Sequence, residues 1–562
     1  MPTIEISKAD LENLLGRKIK EEELEDLFTF VKGELEEING DMLKIDIKDT
    51  NRPDLWSVEG IARELKGHLR IETGLPKYSV GKSNISVVVD ESVKNIRPFV
   101  VCAVIENVKL SDALIRELMQ LQEKIHMTFG RRREYVAIGI SDLDKINGKR
   151  ITYKAVGFEE ISFPPLGFEE EMTPKQILEE HPKGKEYGHL INGKGKAPVL
   201  LDESQSVISM PPIINSNTIG KVTEETRNLF IDVTGLKMED VMTALNVVVT
   251  ALADRGGKIK SVVLDYGDKK MESPDLKPRK ITVSGEKIRK ILGLGISSSE
   301  IVRLLREARY DAEIIDEENE IIDAFYLPTR QDILHWRDVA EDVAISFGYN
   351  DFETDPIKVK CVGETDRFED FSDKIREVLV GYSLQEVMTF TLTNKEIMFK
   401  KMNREEKDIV EIANPVSQNW TNIRCDVMPC LMEFLSKNTH VEYPQRIFEV
   451  GDVVVLDENQ DVKTRTERRV CIMLAGNDED FTKIKEIVES FAELLGLKFE
   501  YEEDNDSAFI PGRCAKIMLD NVKIGVLGEI SPKVLENFDV KVPVAGVELN
   551  LTKIFEVWEK KK

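Results

Sequence analysis

The chain is 562 residues long and carries a formal net charge of −25. That length calls for about four domains, and a hydrophobic share of 41% supplies several cores and excludes global disorder. The acidic balance excludes a protein that grips nucleic acid by bulk charge, so any RNA must meet a local basic patch or another subunit. Other classes fall as quickly. Met1-Pro2-Thr3-Ile4-Glu5 lacks the basic-then-apolar order of a signal peptide, and no run of about 18 apolar residues exists to span a membrane. Cys102, Cys361, Cys425, Cys430, Cys471 and Cys514 form no CxxC, which fits a reducing cytoplasm. No HExxH or HxxxH pattern marks a zinc hydrolase. Abundant Glu and Lys with scarce Gln hint at a heat-adapted source.

Along the chain, the first element is a short alternating strand at Ile4 and Ile6. Ser7 is placed to cap a helix carrying Leu11, Leu14 and Leu15, and Gly16 closes it. A second helix carries Leu24 and Leu27, then come a strand at Leu43 to Ile47, the turn Asn51-Arg52-Pro53-Asp54-Leu55 and a helix from Val58 to Leu69. A mixed segment follows from about 85 to 275. Its strands are expected at 85–89, 100–105 and 207–210, and its helices at 110–128 and 241–256. Within it, Arg131, Arg132 and Arg133 follow Gly130 on a loop that either contacts phosphates or is simply solvated. Asp232 and Thr234 lie two apart on a strand, so they share a face; they either enter one pocket or cap and turn the chain.

After a linker at Pro274 to Pro278 the opening pattern returns at an offset of 277. Ile281, Val283, Ser284, Ile288, Ile291, Leu292, Gly293, Ile296, Ile301 and Leu304 repeat the character of the first copy. A strand at 321–326, a turn at 328–333 and a helix at 338–347 complete it. Two distant copies mean a duplicated small domain, not a solenoid. Here Asp338, Glu341 and Asp342 fall at i, i+3 and i+4 on one helical face, with Asp332 just before the helix. Four converging carboxylates would suit Mg²⁺. Spacing alone favours a solvated acidic face with Asp332 capping the turn, and copy one shows no equivalent cluster. A linker is expected at Asp351 to Pro356. The remainder shows helix signals at 369–381, 428–438 and 482–495, and strand signals at 386–393, 470–475 and 544–551. No GxxxxGK[ST], GxSxG or strand-borne GxGxxG motif occurs.

Four ordered motifs point to a family. They are Asn51-Arg52-Pro53-Asp54-Leu55 with Gly60-Ile61-Ala62-Arg63-Glu64, then Gly130-Arg131-Arg132-Arg133 with Ile138-Gly139-Ile140-Ser141-Asp142-Leu143-Asp144. The carboxylate helix ending Phe347-Gly348-Tyr349 is the third, and Asn414-Pro415-Val416-Ser417 with Arg424, Pro429, Asn438 and Phe448-Glu449-Val450-Gly451 is the fourth. The chain thereby resembles the β subunit of phenylalanyl–tRNA synthetase, in its archaeal and eukaryotic form, over nearly its whole length. The resemblance implies a multidomain α+β protein. Residues 1–80 would be the first small domain and 81–275 an α/β tRNA-editing domain. Residues 276–350 would be the second small domain, and 351–562 a degenerate class II synthetase antiparallel-sheet core. The bacterial form's anticodon-binding extension is not expected after residue 562.

The resemblance also implies site residues and partners. Asp332, Asp338, Glu341 and Asp342 match magnesium ligands, with Asp342 standing where the family often has Glu. Leu200, Ser209, Asp232 and Thr234 map to the pocket that hydrolyses mischarged Tyr–tRNA, and Arg131, Arg132 and Arg133 are candidates for RNA contact. Gly546 to Leu551 stands where a third class II motif would end in Arg, and has none. ATP and phenylalanine would therefore bind an α subunit, in a cytoplasmic assembly of two α and two β chains acting on tRNA(Phe). Physics favours such editing. Tyrosine is phenylalanine plus a hydroxyl, and an apolar pocket discriminates such a pair only about 10²-fold. A buried acceptor in a second pocket reverses the preference, because leaving it unpaired costs roughly 1–3 kcal/mol. No general base is assigned. The alternative is a noncatalytic scaffold or RNA-binding subunit with an inactive editing pocket.

Overall fold

The computed structural model describes every residue except Met1, Asp355, Lys358, Lys360 and Lys562; Asp355 falls within the linker expected at 351–356. The chain forms two compact units, one up to Pro356 and one from Ile357. The first unit contains both copies of the repeat. In copy one, strands Thr3–Ser7 and Gly33–Asn39 flank a central Met42–Ile47, all antiparallel. In copy two, Arg279–Ser284 and Asp311–Asp316 flank Ile321–Tyr326 in the same order.

The expected caps are present in both copies. Ser7 Oγ accepts from the Asp10 amide and Ser284 Oγ from the Lys287 amide. Gly16 and Gly293 end their helices at φ 71° and 70°, the left-handed region where a Cβ is costly. Ile4, Ile6, Leu11, Leu15, Leu43 and Ile45 are all buried, so each short sheet is covered on one face by its helices.

Between the copies lies a ten-stranded sheet. Its path runs Ile214–Asn215, Val207–Met210, Lys196–Leu201, Arg150–Gly157, Gly81–Val89, Lys258–Asp265, Phe99–Glu106, Leu229–Gly235 and Val136–Asp142, with Lys270–Ser273 added beside Lys258–Asp265. The two ends of the path meet, because Asn215 Nδ2 donates to the Ile140 carbonyl at 3.2 Å. The sheet therefore curls on itself, as a long twisted sheet must. Helix Met238–Asp254, apolar on nearly every side, is buried against it, whereas Asp112–Met127 buries only Leu114, Leu118, Leu121, Ile125 and His126.

The second unit is a seven-stranded sheet. Its order is Gln385–Glu386, Gln445–Leu456, Thr464–Ala475, Val544–Asn550, Val522–Ile530, Phe509–Leu519 and Glu500–Glu503. All pairs are antiparallel except the first. Alternation sorts the two faces. Val470, Ile472 and Leu474 pack with helices Arg367–Gly381 and Phe481–Leu494, while Cys471, Met473 and Ala475 pack with Met428–Lys437. One expected strand is corrected. Residues 386–393 are not continuous strand but two short pieces, Gln385–Glu386 and Leu392–Thr393, on different sheets. Met388 and Phe390, within that span, are 91% and 75% exposed, so no sheet face covers them.

Candidate functional site

Strand Leu229–Gly235 lies between two neighbours, with Asp232 opposite Cys102 on one and Gly139 on the other. Gly139 makes room for the carboxylate: a Cβ there would sit 2.5 Å from Asp232 Oδ1. Asp232 lines a cavity of about 290 Å³ whose walls include Ile115, Leu118 and Met119 of helix Asp112–Met127 and the Pro211–Asn215 loop. Asp232 is 1% exposed, and Oδ1 has no hydrogen-bond partner among the described residues. Burial pushes its carboxyl up to about 7. A buried acceptor with no donor costs free energy unless a ligand supplies one.

The polar wall opposite is already committed. His126 Nε2 accepts from the Ile138 amide at 2.8 Å, and its Nδ1 lies 3.3 Å from Glu123 Oε1. Burial lowers the His126 ring to about 4, so it is neutral, with the proton on Nδ1. Its free lone pair is used by the backbone, which leaves it no role as a base. Hydrogen bonding from His126, with Arg133 adding its charge, holds Glu123 at about 2. The cavity can thus recognise a hydroxyl in apolar surroundings, and no serine, threonine or cysteine lines it.

Of the four expected pocket residues, only Asp232 lines this cavity. Thr234 shares its strand and alternation, but its Oγ1 accepts from Arg97 Nε at 2.8 Å and its carbonyl from Arg97 Nη2 at 2.7 Å. Leu200 and Ser209 are register partners on adjacent strands of the same sheet, both buried, and Ser209 Oγ has no partner among the described residues. Residues that sequence reasoning missed are His126, Glu123 and Gly139. A glycine inside the apolar run 136–140 was the available signal for Gly139.

The three arginines do not act together. Arg133 is buried; its guanidinium donates to the carbonyls of Pro212 and Ile213 and to Glu123, and lies 4.4 Å from the Tyr187 ring centroid. That corrects its assignment to RNA contact: it is a wall of the Asp232 cavity. Arg131 and Arg132 are exposed.

The four carboxylates of copy two also separate. Arg330 Nη2 bonds Asp332 Oδ2 at 2.5 Å and Asp342 Oδ2 at 2.7 Å, and Tyr310 donates to Asp342. Asp338 Oδ2 instead accepts from the amides of Leu334 and His335 at the start of helix Trp336–Phe347, and Glu341 pairs with Lys32. Among the described residues no group of three or more Asp, Glu, His or Cys is arranged to hold a metal ion. A guanidinium already occupies the space between Asp332 and Asp342, so the set does not fit a four-carboxylate magnesium cage.

Copy one corrects the reading further, for it does hold the equivalent cluster. At an offset of 278, Arg52, Asp54 and Glu64 correspond to Arg330, Asp332 and Asp342. Arg52 makes two parallel bonds of 2.9 Å to Asp54 and one of 3.1 Å to Glu64. The two clusters face each other, with Arg52 Nε 3.9 Å from Asp332 Oδ1. Asp338 and Glu341 have no acidic counterparts, since Gly60 and Arg63 stand in their places.

In the second unit, Glu449 bonds Arg424 at 2.7 Å, both fully enclosed. Glu548, on the strand where a third motif would end in Arg, accepts from the amides of Val427 and Met428 and from Arg469. Arg469 also pairs with Asp426 and Glu467. The cleft they line, about 740 Å³, has its other arginines paired as well: Arg404 with Asp506, and Arg465 with Asp457 and Glu467.

Known proteins match this chain throughout. Residues 1–70 match the Phe-tRNA synthetase beta subunit B1 domain and residues 281–349 the tRNA synthetase B5 domain. Residues 354–551 match the phenylalanyl tRNA synthetase beta chain CLM domain. The phenylalanine–tRNA ligase beta subunit of Pyrococcus horikoshii is 51% identical over 99% of this chain and 100% of its own length. That of Methanocaldococcus jannaschii is 41% identical over 98% of this chain and 100% of its own length. A crystal structure of an N-terminal fragment of the Pyrococcus horikoshii β subunit is similar with a TM-score of 0.60 and 52% identity, over 62% of this chain and 100% of the fragment.

Proposed function

Since the chain belongs to the family of phenylalanine–tRNA ligase β subunits, we propose that it supports charging of tRNA(Phe) by an α subunit and hydrolyses Tyr–tRNA(Phe) in the Asp232 cavity. The unpartnered Asp232 Oδ1 carries this reading. A phenol hydroxyl entering the apolar cavity satisfies that oxygen, whereas a phenyl ring leaves it unpaired, so the cavity prefers the side chain that the synthetic site fails to reject. No side chain serves as base; a bound water attacks an ester that is already activated and held in place.

The paired arginines of the second unit support assigning ATP and phenylalanine to the α subunit, because a phosphate there would have to displace carboxylates already bonded to them. An assembly of two α and two β chains in the cytoplasm belongs to the same proposal. Any Mg²⁺ would fall to Asp338 and Glu341, which lie outside the Arg330 cluster, and it would have to compete with the two amides on Asp338 and with Lys32 on Glu341. Two carboxylates suffice for an ion that keeps most of its waters, and no step runs through it. Metal analysis of the assembled complex, with and without Asp338→Ala/Glu341→Ala, tests this part.

The main test is deacylation of Tyr–tRNA(Phe) by the complex of this chain with its α subunit. Asp232→Ala should slow clearance roughly 10- to 150-fold, the loss of a hydrogen bond of about 1.5–3 kcal/mol to a charged group. Clearance at the wild-type rate by Asp232→Ala would refute the assignment. A wild-type complex with no deacylase activity would favour the scaffold reading.

A further inference from the structure

The turn Gly130–Arg133 holds three consecutive non-glycine residues in the left-handed region, with φ of 45°, 55° and 66° at Arg131, Arg132 and Arg133. Such conformations are unfavourable for residues with a Cβ, so the surroundings must impose them. Three backbone bonds do so: Arg131 N to Thr128 O, Arg133 N to His126 O and Tyr135 N to Gly130 O. The consequence is a division of side chains. Arg133 turns inward to wall the Asp232 cavity, and Arg131 turns to the opposite side of the same turn.

There Arg131 lines a second, open cavity of about 500 Å³ with Tyr135, Lys237, Thr50, Thr128, Phe129 and Asp240. The Arg131 guanidinium lies 4.7 Å from the Tyr135 ring centroid, and Lys237 Nζ lies 5.9 Å from the same ring. Most arginines of this acidic chain are tied to carboxylates, as Arg52, Arg63, Arg255 and Arg330 show. Arg131 and Lys237 are exceptions: neither side chain has an ion-pair partner within 4.0 Å among the described residues. Asp240 is the single carboxylate lining the cavity, so its charge stays positive within a chain of −25. Unused guanidinium and ammonium donors beside an aromatic ring suit a flexible anion that also has planar groups, which describes single-stranded RNA.

We propose that Arg131, Lys237 and Tyr135 bind the phosphodiester backbone of the single-stranded 3′ end of tRNA, beside the cavity that receives its aminoacyl ester. This rests on the reading of the Asp232 cavity as the deacylation site. The turn links the two functions mechanically: its Arg133 shapes the ester cavity while its Arg131 holds the strand.

The test compares the wild-type α–β complex with Arg131→Ala/Lys237→Ala in Tyr–tRNA clearance and in filter binding of uncharged tRNA, across a series of salt concentrations. The variant should raise KM and tRNA Kd about tenfold or more while kcat stays within about twofold. Its slope of log binding constant against log salt should fall by about 1.4, since each single-strand phosphate contact contributes about 0.7. Arg131→Lys/Lys237→Arg should restore most of the salt slope. An unchanged KM, Kd and salt slope would overturn the proposal, as would loss of α-subunit co-purification with tRNA binding intact, which would make the surface a protein contact. If the wild-type complex clears no Tyr–tRNA, the deacylation reading fails on its own, and the filter-binding arm still decides whether these residues hold RNA.

Discussion

The paired clusters of the two copies yield a matched prediction. Removing Asp342 leaves Arg330, 6% exposed, short of one carboxylate and strips Tyr310 of its acceptor. Removing Glu64 leaves Arg52, 4% exposed, with only Asp54 in direct contact. Breaking a buried pair from one side costs about 3–5 kcal/mol, because the remaining charge stays desolvated. Asp342→Ala and Glu64→Ala should therefore destabilise the first unit by similar amounts, with Asp342→Ala toward the upper end for the lost tyrosine bond. Chemical denaturation followed by tryptophan fluorescence reads this, since Trp56 and Trp336 lie in the two copies. A lowered midpoint with an unchanged slope is a stability change rather than a change in the unfolded state. The cage of four magnesium ligands makes the opposite prediction. It expects a chelator to lower the wild-type midpoint to that of Asp342→Ala and expects Glu64→Ala to be harmless. That outcome would refute the guanidinium account of Asp332 and Asp342.

Three further expectations follow from the geometry. Asp332 is held down to about 2 by Arg330 against its burial, so its contribution, on the order of 2 kcal/mol, is present above pH about 4 and lost as pH falls toward 2. Asp332→Asn should flatten the acid limb of a pH–stability curve over that window. Asp232 has the reverse sign. With its carboxyl raised to about 7, charging it costs stability from pH about 4 upward, so Asp232→Asn should gain roughly 2–4 kcal/mol at pH 8 while losing tyrosine clearance. Wild-type clearance should rise through pH 7 as the carboxylate acceptor forms, and a flat profile would count against Asp232 as that acceptor. Finally, Gly139→Ala should displace the Asp232 carboxylate, since the new Cβ would meet Oδ1 at 2.5 Å, and slow Tyr–tRNA clearance tenfold or more with the fold intact by circular dichroism.

What the sequence disclosed and what it hid divide along physical lines. Local rules were legible: Ser7, Ser284, Gly16 and Gly293 cap and close their helices as hydroxyls and glycines do anywhere. Strand Val207–Met210 was legible as a short, largely apolar run that ends at Pro211 and Pro212. Partner choice was not legible, because charge pairing depends on side chains brought together from afar. Thr234 reads as a pocket residue until Arg97 is placed against it, 137 residues away in sequence. Arg133 reads as a surface arginine until the curl of the sheet brings Pro212 and Ile213 over it. The carboxylates of copy two show the hazard most clearly. Matching the copies at 277 puts Thr329 opposite Arg52 and Gln331 opposite Asp54, and the shared cluster disappears; one inserted residue restores it. Once Arg330 and Arg52 are aligned, Asp332 and Asp342 are accounted for by the same bonds that hold Asp54 and Glu64. Of the four carboxylates, only Asp338 and Glu341 then remain without an acidic counterpart in copy one. The shared packing device therefore accounts for two of the four carboxylates, and any ion-binding role would rest on the other two alone.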